Sequence, residues 1–286
     1  MTDLGSLIST VLNHIANGRF QVSLCVIVGV ASLISFFEVI EQHVRGSFNQ
    51  RAMYWPVVAC LLLAITAFAS ALSMTIATHV LPWASGLLIG VGIIGFGLHI
   101  RGIARKPGGF SKNLVANLVM GPPIFAPLLI GISGYLGLIA SALVPETRTA
   151  GLPVVQLDLI HRALIIATAG TALLNGGDSF ISHYKANFSR RSQWIPVIIA
   201  PIVVFVALAA LHDSSTMRLI LALVSLCALL AGTAGSVLHL NGIRRRTQGR
   251  GRLIYNLIYG PPPFAPLLFA ATGFMGLLAA KIGQIQ

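Results

Sequence analysis

The chain has 286 residues, of which 56% are hydrophobic and 9% are charged, and its formal net charge is +12. Soluble domains carry about 25% charged residues, so this composition excludes an ordinary water-soluble protein, and the mean hydropathy of +0.86 indicates a polytopic membrane protein. The three cysteines all fall inside apolar runs, which argues against disulfides and against a CxxC metal site.

Residues 1–19 precede the first long apolar run. Apolar side chains recur at positions 4, 7, 8, 11, 12 and 15 and form one stripe on a helix that is too short to span a membrane. We therefore predict an amphipathic helix lying along the outer membrane–water interface. A short helix packed on the bundle is the alternative.

Eight apolar runs approach the length of about 20 residues that crosses the hydrocarbon core. They cover residues 20–41, 56–78, 82–100, 123–143, 159–181, 195–212, 216–239 and 263–283. The prediction is an all-α integral membrane protein with eight transmembrane helices. No basic segment precedes the first run, so we interpret it as a retained helix and not as a removed signal peptide.

The lysines and arginines are concentrated in every second loop. Fourteen of the 19 lie in the loops after the first, third, fifth and seventh runs. The positive-inside rule then places these loops in the cytoplasm, and both termini on the outer (periplasmic) side of a bacterial-type inner membrane. The basic run RRRTQGRGR (244–252) is expected to meet anionic lipid headgroups. It lacks interleaved aromatic residues, which argues against nucleic acid as a partner.

One stretch of sequence occurs twice, as GPPIFAPLL at 121–129 and as GPPPFAPLL at 260–268. A shift of 140 residues also aligns HIRGIAR (99–105) with HLNGIRR (239–245). The whole repeat relates residues 20–143 to residues 160–283, with an outer-side connector at 144–159. It predicts two tandem, parallel four-helix units with pseudo-two-fold symmetry along the membrane normal.

Gly121 and Gly260 open these two proline-rich stretches at the cytoplasmic start of the fourth and eighth spans. Proline is tolerated in the first turn of a helix, so a short juxtamembrane helix is expected to break there before the span begins. Pro127 and Pro266 lie further in and are expected to bend the span. The break is either a structural corner, or a helix start whose partial positive charge faces the anionic group of a ligand or lipid.

Each half carries one carboxylate and two histidines near the cytoplasmic border. Ionisable groups at such depth are costly unless paired, and they often mark function. Two histidines and a carboxylate can bind zinc or non-haem iron, and haem is a less favoured alternative. The predicted metal ligands are Glu38, His43 and His99 in the first half, and Asp178, His183 and His239 in the second.

The spacing limits this metal hypothesis. Five residues separate Glu38 from His43, about 140° around a continuous helix, so both reach one ion only if the helix ends between them. In the second half, Gly176 and Gly177 are expected to loosen the helix. Recurring arginines offer a structural role for the carboxylates as ion-pair partners, or could bind an anionic ligand. They are Arg51, Arg105, Arg191 and Arg245.

Three classes of function remain open at this stage. The first is a metal- or cofactor-binding membrane protein, including an enzyme that acts on a lipid or quinone. The second is a transporter of small molecules or ions with Glu38 and Asp178 as coupling groups, which parallel repeats suit. The third is a non-catalytic subunit of a membrane complex or a homo-oligomer. We favour the first class.

Overall fold

The computed structural model describes residues 20–142, 154–212, 214–245 and 253–282. The predicted interfacial helix at 1–19 and most of the connector at 144–159 lie outside these ranges. Within them, the chain consists of α-helices joined by turns and two short 3-10 helices, Arg51–Met53 and Arg191–Gln193. The α-helices are α1 (Phe20–Arg45), α2 (Tyr54–Leu72), α3 (Met74–His79), α4 (Leu81–Ala104), α5 (Gly109–Val119), α6 (Ala126–Ala142), α7 (Val154–Lys185), α8 (Trp194–Ala210), α9 (Ser215–Arg245), α10 (Leu253–Tyr259) and α11 (Ala265–Ile282).

Seven helical segments of the described residues are long and apolar enough to cross a membrane. The eighth predicted span, α6, is apolar and has 17 residues in the described part of the chain, which stops at residue 142. Large apolar side chains also cover the outer surface, where Leu72, Trp83 and Phe205 are 85%, 80% and 73% exposed. The chain is therefore a multi-pass α-helical membrane protein.

Several helix ends differ from the predicted ones. Helix α2 ends at Leu72 because Ser73 adopts an extended conformation and its hydroxyl accepts a hydrogen bond from the Ile76 backbone N–H, which starts α3. Helices α1 and α7 run on to Arg45 and Lys185, past the point where the apolar runs end. The short helices α5 and α10 precede the proline-rich stretches, as predicted.

The helices of each half pack on one another in the same pairs. Helix α1 contacts α2 and α6, and α4 contacts α2 and α6; correspondingly, α7 contacts α8 and α11, and α9 contacts α8 and α11. Between the halves, α1 lies against α10 and α11, and α7 lies against α5 and α6. The first helix of each half thus borders the proline-rich stretch of the other half.

Two glycines allow the helices that carry these stretches to pack closely. A Cβ atom at Gly92 of α4 would lie 2.6 Å from the carbonyl oxygen of Pro127, and a Cβ at Gly232 of α9 would lie 2.6 Å from that of Pro266. A side chain at either position would overlap with backbone. The glycines therefore fix the start of α6 against α4 and the start of α11 against α9.

Candidate functional site at the two proline motifs

We call residues 121–127 the first proline motif and residues 260–266 the second. In each motif the helix begins only at the alanine, Ala126 or Ala265. Pro127 and Pro266 consequently lie in the first helical turn, where a missing N–H costs nothing. The expectation that they bend the span is wrong. The first turn of α6 and of α11 leaves backbone N–H groups that need acceptors from elsewhere.

A histidine holds each motif from its own half. His99 of α4 makes a hydrogen bond from Nδ1 to the carbonyl oxygen of Pro123 at 2.7 Å, and His239 of α9 makes the same bond to Pro262 at 2.6 Å. A carbonyl oxygen only accepts, so Nδ1 carries the proton in both rings. Nε2 of both histidines is therefore the unprotonated nitrogen that can act as a ligand.

A second histidine interacts electrostatically with each of these rings. His43, near the end of α1, interacts with His99, and His183 of α7 interacts with His239. In the described part of the chain, Nδ1 of His43 is buried and has no hydrogen-bond partner. The two predicted histidines of each half therefore interact electrostatically. We call them the histidine pairs.

The turns after α1 and α7 support the histidine pairs with residues that sequence reasoning missed. Phe48 lies edge-on to His43 with 5.8 Å between ring centroids, and Phe188 lies 6.3 Å from His183. Both phenylalanines adopt left-handed backbone conformations, with φ of 44° and 43°, which are unfavourable for such residues. The only indication in the sequence that Phe48 and Phe188 contact the histidines was that the two phenylalanines occupy equivalent positions in the repeat.

The carboxylates face the motif of the opposite half. Oδ1 of Asp178, on α7, accepts a hydrogen bond from the Phe125 backbone N–H at 3.2 Å. Glu38, on α1, accepts a 2.8 Å hydrogen bond from Nε2 of Gln42 and lies close to the backbone N–H of Ala265, but its Oε2 has no hydrogen-bond partner in the described residues. A side chain of the protein itself therefore bonds the helix start of α6.

The phenylalanines of the motifs also reach across to the other half. The ring of Phe125 lies where a Cβ at Gly177 of α7 would approach within 2.7 Å. The ring of Phe264 stacks on Phe37 of α1 with 5.9 Å between centroids. Each motif therefore has an aromatic contact as well as a carboxylate close to it.

The three-residue metal sets predicted for each half are not assembled in this arrangement. Helices α1 and α7 continue without a break, and Gly176 and Gly177 lie within α7, so Glu38 and His43 leave α1 about 140° apart. Across the described residues, no group of three or more His, Cys, Asp or Glu side chains is placed to hold a metal ion. The histidine pairs and the carboxylates form separate contacts around the motifs.

The predicted ion pairs between these carboxylates and the recurring arginines are wrong. Among the described residues the ion pairs are Arg45–Glu41 and Arg162–Asp158. Arg45 also donates a 2.9 Å hydrogen bond to the carbonyl oxygen of Gly260, so it joins α1 to the second motif. The four-residue spacing of Glu41 and Arg45 on one helix is the sequence pattern that indicates this ion pair.

The remaining predicted ligand-binding residues are dispersed around the motifs. The side chains of Arg51, Arg105 and Arg191 are exposed, the first and third in the 3-10 helices. Arg245 lines a cavity at the end of α9. Gly121 is tightly enclosed, since a Cβ there would lie 2.6 Å from the carbonyl oxygen of Asn117.

No family model, curated protein or solved structure matches this chain. The chemistry therefore has to be inferred from the residues. Each half offers two imidazoles that interact electrostatically, one of which has its tautomer fixed by a carbonyl, as is usual for a histidine that binds metal. Each half also offers one partly buried carboxylate close to a helix start of the other half.

Proposed function

We propose that the chain is an inner-membrane protein that binds a transition-metal ion at the histidine pair of each half, near the cytoplasmic border. The observation that carries this proposal is the hydrogen bond from Nδ1 of His99 and of His239 to a proline carbonyl. That bond leaves Nε2 as the ligand nitrogen and fixes the orientation of the ring. Zinc and non-haem iron both accept imidazole ligands.

The second histidine supplies the next ligand. The His43 ring interacts with the Met53 backbone, but its Nδ1 is buried without a hydrogen-bond partner in the described residues, and a metal ion is one group that satisfies it. The carboxylates lie at the helix starts and not in the histidine pairs, so water or substrate fills the other coordination positions. An open position of this kind is what a catalytic metal needs.

The topology belongs to the same proposal. We place the proline motifs at the cytoplasmic side because the flanking loops hold most of the lysine and arginine. The matched histidine–proline bonds and the paired helix contacts support two repeated units, 20–143 and 160–283, that each hold one site. Anionic headgroups surround the basic loops.

Metal analysis and absorption spectra of detergent-purified protein test the proposal. We expect about two equivalents of metal per chain after loading with zinc or ferrous iron. His99→Ala and His239→Ala should each remove about half of the metal, and the double variant should remove nearly all of it. His212→Ala, which alters an exposed histidine after α8, is the control. Metal content that is unchanged in the double variant would refute the proposal.

A second candidate function is transport, and the contacts between carboxylates and helix starts favour it. Asp178–Phe125 and Glu38–Ala265 join the two halves at one side of the bundle. If the halves move apart there, both contacts must open, so protonation of the carboxylates would assist opening. Proteoliposomes containing a pH-sensitive dye measure this. Proton flux that depends on an added ion or solute and is abolished in Asp178→Asn supports transport; flux unchanged by Asp178→Asn contradicts it.

A further inference from the structure

A cavity of about 290 Å³ opens beside the last turns of α9. Four of its lining residues, Leu238, Asn241, Gly242 and Arg245, follow the i, i+3, i+4, i+7 spacing of one helix face. The fifth, Arg190, comes from the turn that leads into the 3-10 helix Arg191–Gln193. Two arginines and one asparagine from two separate parts of the second half therefore line the cavity.

The backbone around the cavity is held in place. A Cβ at Gly242 would lie 3.1 Å from Cγ of Pro261, so α9 packs closely on the second proline motif at this point. The backbone N–H of Arg190 donates a 3.1 Å hydrogen bond to Oε1 of Gln193. The cavity is thus bounded by a helix and a fixed turn.

The two arginines have no acidic partner in the described part of the chain. Its two ion pairs involve Arg45 and Arg162 instead. The carboxylates on the same side of the bundle are engaged elsewhere: Glu41 with Arg45, Asp178 with Phe125 and Glu38 with Gln42. Both arginine side chains are exposed and therefore accessible to an anion from outside the described residues.

We propose that this cavity binds the phosphate group of an anionic ligand. Guanidinium groups bind phosphate in a bidentate manner, and the Asn241 amide adds a neutral donor. Leu238 is 47% exposed beside the cavity, so an apolar surface adjoins the basic one. This combination suits a phospholipid, whose acyl chain would cover Leu238; a free phosphate compound is the other source of the same chemistry. The site is independent of the histidine pairs.

The repeat provides a matched control. The positions equivalent to Arg190 and Asn241 in the first half are Gln50 and Arg101, whereas Arg245 has the equivalent Arg105. The test pair is therefore the double variant Arg190→Gln/Arg245→Gln against Arg105→Gln. The altered side chains line an open cavity, and thermal unfolding without added ligand verifies that both variants are folded.

Native mass spectrometry of the detergent-purified chain measures binding of phosphatidylglycerol, phosphatidylcholine, glycerol phosphate and inorganic phosphate. Phosphatidylglycerol that binds at least about tenfold more weakly to the double variant, and unchanged to Arg105→Gln, supports a lipid phosphate site. The same loss seen only with glycerol phosphate or inorganic phosphate supports a site for a soluble phosphate. Equal binding of every probe to wild type and double variant overturns the proposal.

Discussion

Asp178 and Phe125 are 53 residues apart in different halves of the chain, yet a 3.2 Å hydrogen bond joins the carboxylate of one to the backbone N–H of the other. Glu38 lies close to the Ala265 N–H on the converse side, from the first half to the second, without a hydrogen bond between them. A helix start has unsatisfied N–H groups and the positive end of the helix dipole, so it favours a negative charge. Asp178 therefore stabilises a helix of the other half.

Replacing Asp178 by alanine should reduce the free energy of unfolding by about 2 kcal/mol, because a buried N–H loses a charged acceptor. Thermal or denaturant unfolding in detergent measures the loss. Asp178→Asn keeps an acceptor oxygen without the charge and should lose less. Asp158→Ala is the control, since its ion pair with Arg162 is exposed. Equal losses in Asp178→Ala and Asp158→Ala would contradict the assigned role.

Removal of Arg45 should destabilise the protein more strongly than removal of Arg162. Glu41 is only 6% exposed, and loss of its partner leaves a buried charge uncompensated, which costs about 3 kcal/mol. The exposed pair of Arg162 with Asp158 contributes about 0–1 kcal/mol. The free energies of unfolding of Arg45→Ala and Arg162→Ala, measured against wild type, compare the two ion pairs. We expect Glu41→Gln to restore part of the loss in Arg45→Ala, and no restoration would argue against the ion pair.

Gly232→Ala should lower stability by about 1–3 kcal/mol, because the added methyl group meets the backbone of α11 and a packed interface cannot absorb it. Gly97 is a suitable control, since a Cβ there has no neighbour within 4 Å. Unfolding of the two alanine variants should show a clear loss for Gly232 and little change for Gly97. A tolerated Gly232→Ala would mean that α9 and α11 pack less closely than described.

The left-handed turn after α1 offers a stabilising substitution. Ser47 has φ of 57°, a conformation that costs an ordinary L-residue about 1–2 kcal/mol and that glycine adopts freely. Ser47→Gly should therefore raise the midpoint of thermal unfolding. Asn187, at the equivalent place with φ of 54°, tolerates this conformation better, so Asn187→Gly should gain less. The reverse order would show that the strain lies elsewhere.

Cysteine labelling tests the orientation of the chain. In a variant without native cysteines, Asn49→Cys follows α1 and Thr78→Cys lies in α3, and both positions are exposed. A membrane-impermeant maleimide added to intact cells should label Thr78→Cys and should reach Asn49→Cys only after the membrane is permeabilised. The opposite pattern would place the proline motifs on the outer side.

The sequence pattern was sufficient to find the membrane helices, the short helices before the motifs and the equivalent histidines. The sequence pattern could not show whether a residue contacts its own half or the other half. An alignment of the two halves pairs Asp178 with Glu38, but it does not place either residue beside Phe125 or Ala265. The ends of α1 and α7 were missed for another reason. Hydropathy falls after residue 41, but the helix continues because its backbone hydrogen bonds do not depend on apolar side chains.

Asp178 and Glu38 each lie at a helix start of the opposite half, so one four-helix unit alone would lack both arrangements. A single four-helix unit would have a carboxylate without a helix start to stabilise and a helix start without a carboxylate. Two identical copies would satisfy both needs at once, each giving one contact and receiving one, as in a symmetric dimer. Where the first half has Glu41 and Arg45 beside its carboxylate, the second has Ile181 and Lys185.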